Sequence, residues 1–148
     1  MMNSRIILGT APRSTALTSD AATASRSAAE RRQRDIADNF YPTPPEATRA
    51  LLSVESFDGT IHEPACGEGH IARELSAAGY NVIATDLNDR GFGRPGLDFL
   101  GQRVPLAHDI ITNPPYGRGL ADAFLRKALM LTRQTGGKVA MLLNLSSL

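Results

Sequence analysis

Hydrophobic positions recur along the chain with two periods. Between Gly69 and Ala78 they stand at 71, 72, 75 and 78, which is helical spacing, and Gly79 is placed to end that helix. From Leu120 to Leu131 the same spacing puts 120, 124, 125, 128 and 131 on one face, until Gly136-Gly137 breaks the pattern. Thr43-Pro44-Pro45-Glu46 reads as a helix start, with Thr43 as the capping residue and the helix over 46–52. Short runs at 60–63, 81–86, 109–112 and 138–143 are apolar without the helical period and read as buried strands. Residues 87–96 form a glycine-rich loop, and 97–100 form a short element whose type the pattern does not fix. Strands alternating with helices predict an α/β fold with a parallel sheet.

The 148 residues, 42% hydrophobic and 21% charged, suit one globular domain. Sixteen Lys and Arg against fifteen Asp and Glu exclude a strongly basic nucleic-acid coat and an acidic disordered chain. The charge is segregated. Residues 1–34 carry six Arg and two acids, a net +4, whereas 35–148 carry ten basic and thirteen acidic residues, a net −3. The composition of 1–34 favours a disordered basic tail, ahead of a transit peptide or a phosphate-touching arm, with the folded core over 35–148. A single cysteine, Cys66, excludes an internal disulfide and fits a reducing, cytoplasmic compartment. No apolar run approaches the ~18–20 residues that span a bilayer. His62, His70 and His108 lack ligand spacing with Cys66 or each other, so no metal site is expected.

Three motifs carry the chemistry. Glu63-Pro64-Ala65-Cys66-Gly67-Glu68-Gly69 sits at a strand-to-helix junction, where Gly67 and Gly69 let a ligand lie against main-chain N–H groups. Taken alone, the glycine pattern also fits a dinucleotide site or a plain turn. Glu63 favours a cationic or amine-bearing ligand, since its carboxylate repels a pyrophosphate. Asp86 closes the next strand, where a carboxylate takes both hydroxyls of a ribose; its simpler role is to cap the following loop. Asn113-Pro114-Pro115-Tyr116 ends the strand at 109–112. There an amide acceptor, a fixed carbonyl and a flat ring suit an amino group on a planar substrate.

These motifs, with Thr85-Asp86 and Leu97-Asp98-Phe99-Leu100 between them, resemble the class I S-adenosylmethionine-dependent methyltransferases. The likeness is strongest to the phage and prophage enzymes that make N6-methyladenine in DNA, and it runs from about Phe40 to the chain end. The resemblance implies a Rossmann-like sheet and S-adenosylmethionine as cofactor. Glu63, Cys66, Gly67 and Gly69 would line its methionine part, and Asp86 its ribose. Asp98 would accept from its adenine amine, with Phe99 beside that ring. Thr43 belongs to the segment Phe40–Pro45 that covers the cofactor in the family. Asn113, Pro114, Pro115 and Tyr116 would hold the target amine. The family carries seven strands and a separate DNA-reading region. This chain is expected to hold five of those strands, a partial core without that region, and a last strand exposed for self-association.

A nearby alternative to adenine in DNA is the same chemistry on a protein glutamine amide or an RNA base amine, which Asn-Pro-Pro-Tyr serves too in the family. A nicotinamide-dependent oxidoreductase would use the glycine loop and Asp86 but gives no task to residues 113–116. A non-catalytic nucleoside-binding remnant is the reading from a third class.

Overall fold

The computed structural model describes residues 40–143, together with helical positions 27, 28, 30, 31, 33 and 34. The chain divides into two units, Met1–Arg31 and Arg32–Leu148. The expected tail over 1–34 and the start of the core at 35 lie largely outside the described residues.

The second unit is α/β. Over its described residues from 40 to 143, three helices, α1 (Pro45–Val54), α2 (His70–Ala77) and α3 (Leu120–Thr135), accompany four strands, β1 (Ile61–Glu63), β2 (Val82–Ala84), β3 (Asp109–Thr112) and β4 (Val139–Met141). Every pairing is parallel, and the order across the sheet is β2-β1-β3-β4. The two central strands, β1 and β3, are buried at every position, as strands covered on both faces must be. Strand alternation divides the core in two. Ile111 joins Ile61, Phe57, Ile71 and Leu75 on one face, with Leu51 and Leu52 of α1 against them. Ile110 joins Phe99, Phe124, Ala128 and Leu131 beneath α3 on the other.

Four strands stand among the described residues where five were expected. Residues 97–100 add no strand, because the Asp98 side chain accepts from the Leu100 N–H and caps a 3-10 turn at Phe99–Gly101. The free edge of β2 is touched at a single parallel bridge, Thr85 to Arg94. Two local expectations also change. Thr43 does not cap α1: the capping position is Pro44, which makes no side-chain bond, and the Thr43 hydroxyl has a partner far along the chain instead. Leu125 is exposed, not buried with Leu120, Phe124, Ala128 and Leu131. At 100° per residue those four span about 80° of the helix, and Leu125 falls about 60° beyond their edge.

From β1 the chain passes to β2 on one side of it, and then to β3 on the other. The direction of winding therefore reverses between β1 and β3. In an open parallel sheet that reversal leaves a crevice beyond the carboxyl ends of the two strands. Glu63 ends β1 and Asn113 follows β3. Among the described residues no helix is long and apolar enough to cross a membrane, and no three His, Cys, Asp or Glu cluster as a metal site.

Candidate functional site

A pocket lies in that crevice, lined by Thr43, Glu63, Cys66, Asp86, Asn113, Pro114 and Pro115 together with Phe40, Tyr41, His70 and Arg90. Seven of the twelve residues singled out in the sequence thus share one wall. Gly67 and Gly69 build the loop behind it. Tyr116 lines an adjoining groove, whereas Asp98 and Phe99 line neither.

Glu63 is fully buried at the end of β1. Its Oε1 accepts from the Thr112 hydroxyl at 2.5 Å and from the Ala65 N–H at 3.1 Å, while its Oε2 meets no donor. Burial pushes this carboxyl up to about 8, outweighing the two hydrogen bonds that favour its charged form. It is therefore protonated at neutral pH. Thr112, not anticipated from the sequence, was legible in one respect: a hydroxyl closing the strand next to the one that ends in Glu63.

The glycine loop is tied to residues 85 and 86, just past β2, at two adjacent positions. The Cys66 N–H donates to the Thr85 carbonyl, and the Gly67 N–H donates to Asp86 Oδ2 at 2.9 Å. Asp86 Oδ1 accepts from the Asn88 N–H at 2.8 Å, so this carboxylate caps its own loop and also ties β2 to the glycine turn. A carboxylate has about four acceptor positions, and two remain for a ligand. Burial, reinforced by Asp86 and Glu63, pushes the Cys66 thiol up to about 12, so it stays protonated and inert.

Gly67 and Gly69 both adopt positive φ, +54° and +89°, and each lies beneath a phenylalanine ring. A Cβ on Gly67 would strike Phe40, and one on Gly69 would lie 2.7 Å from Phe92. Each ring is covered in turn by a guanidinium: Arg90 stands 4.1 Å from the Phe40 centroid and Arg73 4.7 Å from that of Phe92. With Phe40 lying on Gly67, the cavity of this part-open pocket is about 30 Å³. The sequence placed Phe40 in a covering segment. It gave no sign of its contact with Gly67 or of the Arg90 guanidinium above the ring.

At the end of β3 the Asn113 amide is fully engaged. Its Nδ2 donates to Thr43 Oγ1 at 2.9 Å and to the Tyr41 carbonyl at 3.4 Å, and its Oδ1 accepts from the Tyr116 hydroxyl at 2.6 Å. Tyr116 also donates to the Leu142 carbonyl at 3.3 Å and packs against the exposed Tyr41 ring, centroids 5.8 Å apart. Tyr41, Thr43, Pro44, Asn113, Tyr116 and Leu142 line the open groove of about 240 Å³ beside the first pocket.

Phe99 does not come to the pocket. Its ring is buried in the core, edge-on to His62 and 5.0 Å from Phe124, because the turn that Asp98 caps directs it under the sheet. His62 is itself buried, bonded through Nε2 to Thr85 Oγ1, and burial lowers it to about 4.

The arrangement offers one carboxylic acid, one carboxylate and one amide within a single crevice, next to an open groove with two aromatic rings. A scan against protein-family models and searches of curated proteins and of solved structures match nothing to this chain.

Proposed function

We propose that this chain binds S-adenosylmethionine in the crevice pocket and methylates an exocyclic amine presented in the adjoining groove, adenine N6 of DNA being the intended acceptor. The observation that carries the reading is the union of Glu63, Asp86 and Asn113-Pro114-Pro115 in one crevice at the reversal point of the sheet. The residues fit such a cofactor. Glu63 Oε2 is buried without a partner and becomes an acceptor for a cationic amine when that amine takes the place of its proton, and Asp86 retains two acceptor positions for a diol. A dinucleotide fits less well, because its pyrophosphate would lie against the Asp86 charge and the Glu63 oxygen.

Bound, the cofactor supplies an electrophilic methyl group. The chain's part is binding and orientation. Glu63 and Asp86 hold the two ends of the ligand against the glycine loop, once Phe40 has moved off Gly67. Asn113 Oδ1 and the Pro114 carbonyl accept hydrogen bonds from the acceptor amine. Its lone pair would thereby be localised and directed toward the pocket that would hold the cofactor. The Tyr116 hydroxyl, which holds Asn113 Oδ1, gives way to that amine, and its ring remains as a stacking surface. No general base precedes attack, since the nitrogen loses its proton after it has become cationic.

Calorimetry with S-adenosylmethionine, its demethylated product and NADH tests the binding half. Methyl incorporation from labelled cofactor into adenine-containing DNA, with RNA and a glutamine-bearing protein as controls, tests the acceptor. Tight NADH binding without binding of the sulfonium ligand would refute the reading.

A further inference from the structure

A side-chain amide has a donor end and an acceptor end of almost equal size, and a half-turn about its last bond exchanges them. The reading above needs the oxygen of Asn113, not its nitrogen, on the groove side. The surroundings of Asn113 supply a reason for that choice. The Tyr41 carbonyl can only accept, so it can face only Nδ2. Thr43 Oγ1 lies closer, at 2.9 Å from the same nitrogen, and holds the amide within reach of that carbonyl. Thr43 itself is buried, at 6% exposed. Tyr116, on the opposite end, can donate or accept, and decides nothing by itself.

We propose that Thr43 is a positioning residue: its hydroxyl, ambivalent like that of Tyr116, anchors the Asn113 amide beside the Tyr41 carbonyl, and that acceptor-only carbonyl keeps the nitrogen on its own side, so that the oxygen is turned toward Tyr116 and the incoming amine. This rests on the acceptor-amine reading of the groove. It also gives the Thr43 hydroxyl a task different from helix capping and from direct contact with the cofactor. A hydroxyl 70 positions away in sequence is bonded to the residue that meets the substrate.

The test compares Thr43→Val, which keeps the shape and deletes the hydroxyl, with Thr43→Ser, which restores it. The side-chain amide protons of Asn113, assigned by their loss in Asn113→Ala, are followed by NMR in the full chain without ligand. In Thr43→Val they should shift and exchange faster with solvent, and in Thr43→Ser they should return to their original behaviour. In methyl transfer, kcat should fall about tenfold in Thr43→Val, the scale of one lost hydrogen bond, with cofactor affinity within about twofold. Unchanged Asn113 resonances in Thr43→Val would overturn the proposal. So would a Thr43→Ser variant as impaired as Thr43→Val, or a loss falling on cofactor affinity instead of kcat. If the wild-type chain transfers no methyl group and yet shows the resonance response, the positioning of Asn113 stands and the methyltransferase reading fails.

Discussion

At the end of β1, Glu63 is sealed from water with one carboxyl oxygen bonded and the other facing no donor, whereas at the end of β3 the half-buried Asn113 has both ends of its amide engaged. The strands are neighbours and the two groups line one pocket. They nevertheless resolve the cost of polar burial in opposite ways. Glu63 relieves it by keeping its proton; Asn113 relieves it by binding its neighbours. A ligand at Glu63 therefore competes with a proton. A ligand at Asn113 competes with a hydroxyl of the protein itself, and little is lost in the exchange.

The sharpest break in this comparison is Asn113→Ala. Methyl transfer should fall by about a hundredfold or more, the scale for losing a group that acts on developing charge, while cofactor affinity stays nearly unchanged. Labelled-methyl incorporation beside calorimetry reads both. Asp86→Ala should act on the other side: cofactor affinity should drop by about 1–3 kcal/mol, together with a lower Tm, because the Gly67 and Asn88 N–H groups lose their acceptor.

The protonated state of Glu63 has a signature in stability. Its folded value of about 8 against 4.5 gives stability that is complete below pH 4.5 and lost as pH rises through 8. Adjacent His62, about 4 against 6.5, does the reverse: its contribution is complete above pH 6.5 and lost as pH falls through 4. The two slopes cancel between pH 4.5 and 6.5. From 6.5 to 8 Glu63 acts alone, and stability should decline by about 2 kcal/mol, at about 1.4 kcal/mol per pH unit. Urea denaturation across that range should show the decline, and Glu63→Gln should remove it. The smallest expected effect, that of Tyr116→Phe, is read against Tyr116→Ala. Tyr116→Ala should weaken acceptor binding by about 1–3 kcal/mol through loss of the ring. Tyr116→Phe should change it only a few-fold, because the amine displaces that hydroxyl from Asn113 in any case. Equal damage from both variants would show that the ring is not a stacking surface.

The positions of Glu63, Asp86 and Asn113 were legible because each follows an apolar run that could only be a strand, and the ends of parallel strands meet in one crevice. α2 and α3 were legible from their period. What escaped the sequence depended on partners remote in the chain. Thr43-Pro44-Pro45-Glu46 has the local form of a capped start, yet the hydroxyl is claimed by Asn113. Leu97-Asp98-Phe99-Leu100 is too short to show a period. Whether Phe99 faced a ligand or the core was decided by the cap that Asp98 places on the following turn. The Gly67–Phe40 contact joins two segments that neither periodicity nor local chemistry connects.

The Phe40 ring on Gly67, with Arg90 stacked above it, turns binding into a sequence of events. On the proposed function, a molecule that is to lie against the backbone of the loop meets an aromatic ring already in place, so the stack must swing aside before association can finish. Observed association rates should then rise with ligand concentration only to a ceiling set by the opening of the stack. Phe40→Ala should lift that ceiling and quicken departure as well, leaving a site that fills sooner and holds its ligand for less time.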